Sequence, residues 1–70
     1  MRERNIYLVK MGRRIKKIRE ERGYSVRKIS AMCGIDFSNY SRMENGQKNV
    51  HILSLIKIAY ILEVDVKEFL

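Results

Sequence analysis

Seventy residues with fifteen Lys or Arg, eight Asp or Glu and one His carry a formal charge of +7 at neutral pH. A chain this short buries only about 60% of its unfolded surface on folding, which leaves room for one domain and little for a catalytic cleft. One cysteine and one histidine exclude an internal disulfide and argue against a structural metal, so stability rests on helix packing.

The cations are unevenly spread: residues 1–50 hold thirteen Lys or Arg against five Asp or Glu, and residues 51–70 hold two against three. Such asymmetry favours a polyanionic partner, nucleic acid before an acidic membrane surface, although a basic face can also serve solubility alone. The opening Met1-Arg2-Glu3-Arg4 is charged, with no apolar stretch of signal-peptide length behind it. No membrane partner is expected, since the apolar runs are too short to span a bilayer, and a lone thiol fits a cytoplasmic protein.

In chain order, the first helix is expected from about Asn5 to Arg22, with Leu8, Met11, Ile15 and Ile18 on one face at spacings of three and four. Gly12 interrupts that face at about 1 kcal/mol of propensity, which points to close approach by another helix. The second segment starts at the cap-type Ser25, puts Val26, Ile29, Met32 and Cys33 on one face, and stops at Gly34. Asp36 caps a third, which turns Tyr40 and Met43 inward and is broken by Asn45-Gly46. A fourth helix, with Asn49 as its expected cap, carries Ile52, Leu55, Ile56, Ala59 and Leu62 on a broad stripe. Asp65-Val66-Lys67-Glu68 has the form of a capping box opening a short fifth helix through Phe69-Leu70. With no repeat, linker or low-complexity tract, residues 1–70 read as a single all-α domain of five helices.

Residues 25–44 form two short helices around Met32-Cys33-Gly34-Ile35-Asp36, with a glycine where a tight turn needs positive φ. That is the mechanical unit of a helix-turn-helix, whose second helix lies in a DNA major groove while the first crosses the phosphate backbone.

The motifs Met11-Gly12-Arg13-Arg14-Ile15, Ile18-Arg19-Glu20, Gly23-Tyr24-Ser25, Ile29-Ser30, Gly34-Ile35-Asp36, Tyr40-Ser41-Arg42-Met43-Glu44-Asn45-Gly46 and Leu62-Glu63-Val64-Asp65 resemble the phage repressor and Cro (XRE-type) family. The resemblance runs from about residue 10 to the end and implies a compact lambda-repressor-like fold. The small controller proteins of restriction-modification systems and many prophage repressors are similar in size. By that resemblance, Arg19 and Glu44 form a buried ion pair that locks the recognition helix, where bare sequence would also allow two solvated charges. It assigns base reading to Phe37, Ser38, Asn39, Ser41 and Arg42. Arg42 suits guanine, Asn39 adenine and Ser38 either; Phe37 can lie on a thymine methyl or pack on a neighbouring side chain.

The family's usual phosphate-gripping glutamine is replaced by Val26. Ser25, Arg27, Lys28 and the helix start would compensate, with Asn45, Gln47, Lys48 and Asn49 as a second phosphate clamp. The family proline before the fourth helix is Val50 here. His51 reads as surface or capping, Cys33 as a small core residue, and Tyr7, Tyr24 and Tyr60 as packed against their own domain.

Residues 50–70 hold more apolar side chains than one face can hide, which predicts a two-fold interface through Ile58, Ile61, Val64, Val66 and Leu70, the alternative being a monomer with a generous core. The expected function is a homodimeric, sequence-specific regulator on a roughly palindromic operator; the alternative is an antitoxin or adaptor that binds another chain. No cofactor, small-molecule ligand or catalytic constellation is expected, because no nucleophile, base or carboxylate pair stands at a suitable spacing.

Overall fold

The computed structural model describes residues 5–70; the charged opening, residues 1–4, lies outside them. The described residues fold into four α-helices, α1 (Ile6–Glu21), α2 (Val26–Cys33), α3 (Phe37–Glu44) and α4 (Ile52–Leu62), followed by a 3₁₀ turn at Val66–Phe69. The expected fifth helix is therefore a single tight turn. Asp65 Oδ1 accepts from the Lys67 amide at 3.0 Å rather than from the third amide. The Glu68 amide instead donates to the Asp65 carbonyl at 2.9 Å, the closure that defines a 3₁₀ turn.

Each helix begins where a short polar side chain can accept its orphan amides. Asn5 Oδ1 accepts from Tyr7 N at 2.8 Å, Ser25 Oγ from Lys28 N at 3.0 Å and Asp36 Oδ2 from Ser38 N at 3.0 Å. At α4 the cap is His51, whose Nδ1 accepts from Leu53 N at 3.3 Å, and not Asn49.

Ile15, Ile29, Cys33, Tyr40, Met43, Leu55, Ile58, Ala59, Leu62 and Phe69 form one buried cluster. α3 packs on α1 and α2, α2 on α4, and the 3₁₀ turn on α1 and α4. Gly12 explains how closely α1 meets α3: a Cβ there would lie 2.7 Å from the Met43 carbonyl oxygen and collide with that of Glu44. Burial pushes the Cys33 thiol pKa up.

Two helix faces differ from their sequence reading. Met32 points outward, and the buried position it was expected to share goes to Ser30, whose hydroxyl is satisfied by donating to the Arg27 carbonyl at 3.1 Å. On α4 the buried stripe is Leu55, Ile58, Ala59 and Leu62, leaving Ile52 and Ile56 exposed beside Leu53 and Tyr60. Tyr7 and Tyr60, expected to pack, are 77% and 82% exposed.

Candidate nucleic-acid interface

The turn between α2 and α3 is short because Gly34 adopts φ 70°, letting the Ile35 amide reach back to the Ser30 carbonyl at 2.9 Å and the Gly34 amide to that of Ala31 at 3.2 Å. Asp36 starts α3 two residues later. Over the next eight residues, Tyr40, Met43 and Glu44 turn inward, Phe37, Ser38 and Arg42 are exposed, and Asn39 and Ser41 lie half-buried at the edges. The outward face offers two hydroxyls, an amide, a guanidinium and one aromatic ring.

Inside that face α3 is held by charge. Arg19 Nε donates to Glu44 Oε2 at 2.6 Å and Nη2 to Oε1 at 3.1 Å, while Nη1 donates to the Tyr24 carbonyl at 2.7 Å. The Tyr40 hydroxyl donates to Glu44 Oε2 at 2.7 Å. Arg19 and Glu44 are each 6% exposed. This fork-to-carboxylate geometry fixes both the position and the rotation of α3 against α1, because a bidentate pair tolerates little twist. The hydrogen bond to Glu44 raises the Arg19 pKa, and burial followed by the same carboxylate pushes the Tyr40 hydroxyl far above its ordinary range. Sequence reading gave Tyr40 only a core role; its spacing of four from Glu44 was the available sign of the hydrogen bond.

The two groups of phosphate candidates border α3 from opposite ends. Ser25, Arg27 and Lys28 are exposed at the start of α2, and the Arg27 guanidinium carbon lies 4.9 Å from the centroid of the Phe37 ring. Lys28 Nζ stands 5.9 Å from the Tyr24 ring. Asn45, Gln47, Lys48 and Asn49 are exposed in the loop after α3, and Lys48 and Asn49 line a cleft of about 360 Å³ with Asn39 and His51. Val26 is half-buried against the core, so the side chain in the glutamine's place is occupied in packing.

The residues read as a dimer interface are not one surface. Ile58 is 0% exposed and belongs wholly to its own core; the register of α4 against Phe69 puts it there. Ile61, Val64 and Val66 pack partly against that core, and only Leu70 is freely exposed. The exposed apolar strip is Ile52, Leu53, Ile56 and Tyr60.

The Helix-turn-helix family model (HTH_3) matches residues 15–69, which span the rest of α1 from Ile15, the whole α2-turn-α3 unit and α4. The chain belongs to this helix-turn-helix family, whose members are DNA-binding transcription regulators. Among relatives of this helix-turn-helix protein, the control protein C.MunI of a Mycoplasma species is 33% identical over 61 residues, 86% of this chain and 82% of that one. The restriction-modification controller protein C.AhdI from Aeromonas hydrophila superposes with a TM-score of 0.90 at 30% identity, over 94% of this chain and all (100%) of that one. SinR of Bacillus subtilis, a master regulator for biofilm formation, superposes in its complex with DNA with a TM-score of 0.77 at 38% identity, over 84% and 98% of the two chains. The matched stretch includes Arg19 and Glu44 and the whole outward face of α3. Among the described residues, no helix is long and apolar enough to cross a membrane, and no group of three or more His, Cys, Asp or Glu could hold a metal ion.

Proposed function

We propose that this helix-turn-helix protein is a sequence-specific, double-stranded DNA-binding transcriptional regulator that acts in the cytoplasm as a homodimer on a roughly palindromic operator. The observation that carries the reading is the division of α3. Its inner side is bolted to α1 by the buried Arg19–Glu44 pair, and its outer side presents an uncovered set of base-reading groups flanked by cations. A rigid helix with such a face suits the major groove, and the likeness to two controller proteins and to SinR supports that use.

In this reading Arg42 donates its two parallel N–H groups to guanine, Asn39 pairs with adenine, and Ser38 and Ser41 take either partner. Arg27, Lys28 and Lys48 neutralise phosphates. Ser25 accepts its capping amide and still has a hydroxyl proton to donate, while Asn45, Gln47 and Asn49 contribute neutral contacts.

One such helix covers too few base pairs for the roughly 10⁻⁸ to 10⁻¹¹ M affinities of specific regulators, which a second protomer supplies. Ile52, Ile56 and Tyr60 recur every four residues on α4 with Leu53 beside them, all between 47% and 82% exposed. A contiguous apolar strip of this kind marks an interaction surface. We assign the two-fold interface to this strip and to the exposed Leu70, with Ile58 excluded by its burial.

Selection of bound duplexes from a random pool, followed by gel shift over a salt series and sedimentation of the free protein, tests this. The expected site has half-sites about 34–36 Å apart. With three cations per protomer on phosphates, the slope of log K against log salt should be about −5 for the dimer, at roughly −0.9 per neutralised phosphate. A protein that stays monomeric at micromolar concentration would overturn the dimer, and one that retains no DNA but copurifies with another chain would favour the adaptor reading.

A further inference from the structure

We propose that Phe37 and Arg27 together read the 5-methyl group of a pyrimidine, so that each half-site carries a thymine where the first turn of α3 enters the groove. The proposal rests on the DNA-binding reading above and gives it a base preference.

Phe37 is the first residue of α3 and sits 44% exposed on its outward face, the only large apolar side chain there. Neither the core nor the layer packed against it includes this ring, so the fold does not account for an aromatic residue at the position. What does touch it is Arg27, ten residues earlier on α2, whose guanidinium carbon lies 4.9 Å from the ring centroid. The attraction between a cation and the negative face of the ring orients Phe37 and leaves the rest of it open. Arg27 takes part in none of the ion pairs found among the described residues, so its N–H edges remain available for a phosphate next to the base that Phe37 meets.

Stacked bases show only their edges in a duplex major groove, and besides small C–H groups and the hydrogen-bond donors and acceptors, the one protruding apolar group there is the thymine methyl. A phenyl ring pressed on a polar edge would strip its water and return no hydrogen bond. Pressed on the methyl, it removes apolar surface from water on both sides. The match is therefore to the methyl itself: cytosine lacks it, and 5-methylcytosine carries it on the same ring carbon.

The test uses the full chain and duplexes selected from a random pool. Each thymine of the enriched site is replaced in turn by deoxyuridine, which removes the methyl and keeps the base pair. One position per half-site should weaken binding about fourfold, corresponding to ~0.8 kcal/mol for one buried carbon at 1.4 kcal/mol per tenfold. A G·C pair placed there should bind more weakly still, and 5-methylation of its cytosine should recover about that same fourfold. Phe37→Ala should bind with no deoxyuridine penalty at that position, Phe37→Leu with a reduced one, and Arg27→Ala with both a reduced penalty and a shallower salt slope. An enriched site at which no thymine responds to deoxyuridine, or a Phe37→Ala protein that keeps the full penalty, overturns the proposal and leaves DNA binding intact. A pool that yields no enriched site overturns the DNA-binding reading and this proposal with it.

Discussion

Replacing Glu44 by alanine is the sharpest probe of how α3 is held. The substitution removes three hydrogen bonds at once, from Arg19 Nε at 2.6 Å, Arg19 Nη2 at 3.1 Å and the Tyr40 hydroxyl at 2.7 Å. It leaves a guanidinium that is 6% exposed with the Tyr24 carbonyl at 2.7 Å and the solvent-facing Glu20 carboxylate at 3.8 Å as its remaining partners. Removing one member of a buried pair costs about 3–5 kcal/mol, because the other is stranded. Seventy residues at roughly 0.05–0.15 kcal/mol each give a total stability of about 3.5–10 kcal/mol, so Glu44→Ala should bring the protein close to unfolding. With a urea slope of about 1 kcal/mol per molar, the denaturation midpoint should fall by at least about 3 M. The double variant Arg19→Met with Glu44→Leu removes both charges and fills the space, and should recover part of the loss, the Tyr40 hydroxyl still lacking its acceptor. A Glu44→Ala midpoint within about 0.5 M of the parent would refute this account, as would a double variant no more stable than the single one.

Gly12→Ala gains about 1 kcal/mol of helix propensity yet should lower stability by about 1–3 kcal/mol, because its methyl meets the Met43 and Glu44 carbonyls; a raised urea midpoint would contradict that. The Tyr40 pKa is raised above the ordinary value of 10.0 on folding, so its contribution is whole below that pH and is lost as pH climbs beyond it. Melting followed from pH 8 to 11 should therefore show a steeper alkaline fall in the parent than in Tyr40→Phe, and parallel curves would reject the coupling. Glu63 closes α4 at φ 61°, a left-handed geometry that costs a side chain about 1 kcal/mol, while its 3.9 Å contact with Arg22 is exposed and adds little. Glu63→Gly should raise the melting temperature by several degrees, and a drop would show that the Arg22 contact matters. Ile56→Asp, in the middle of the exposed α4 strip, should shift sedimentation toward monomer and leave the helical circular dichroism unchanged; an unaltered dimer would move the interface elsewhere.

The helices were legible in the sequence to the extent that local chemistry decides them. Asn5, Ser25, Asp36 and Gly34 stand at helix ends because their side chains, or the lack of one, suit those positions, and Gly12 stands where two helices nearly touch. α4 was harder because it is apolar nearly all round. The stripe Ile52-Ile56-Tyr60 and the stripe Leu55-Ile58-Ala59-Leu62 both obey helical periodicity, and only packing against Phe69 and α2 decides which is buried. His51 took the cap expected of Asn49 because α4 begins two residues later than the polar loop suggested. On α3, Tyr40 and Met43 were legible as inward from helical spacing, while the inward place of Glu44 and the choice of the other five residues as the reading face came from the family resemblance. The Arg27–Phe37 contact was not legible, since it joins two helices across a turn whose geometry no linear spacing encodes.

The bolting of α3 through Arg19 and Glu44 also bears on how such a domain changes over generations. Of the eight residues of α3, Tyr40, Met43 and Glu44 hold the helix in its socket, Phe37, Ser38 and Arg42 are exposed, and Asn39 and Ser41 lie half-buried at the edges. Under the proposed DNA-reading role, exchanges at the exposed positions 37, 38 and 42 would rewrite the address that the protein seeks while its scaffold stays intact. On that reading, a lineage carrying this arrangement would drift from one DNA site to another by single surface changes, without passing through an unfolded ancestor.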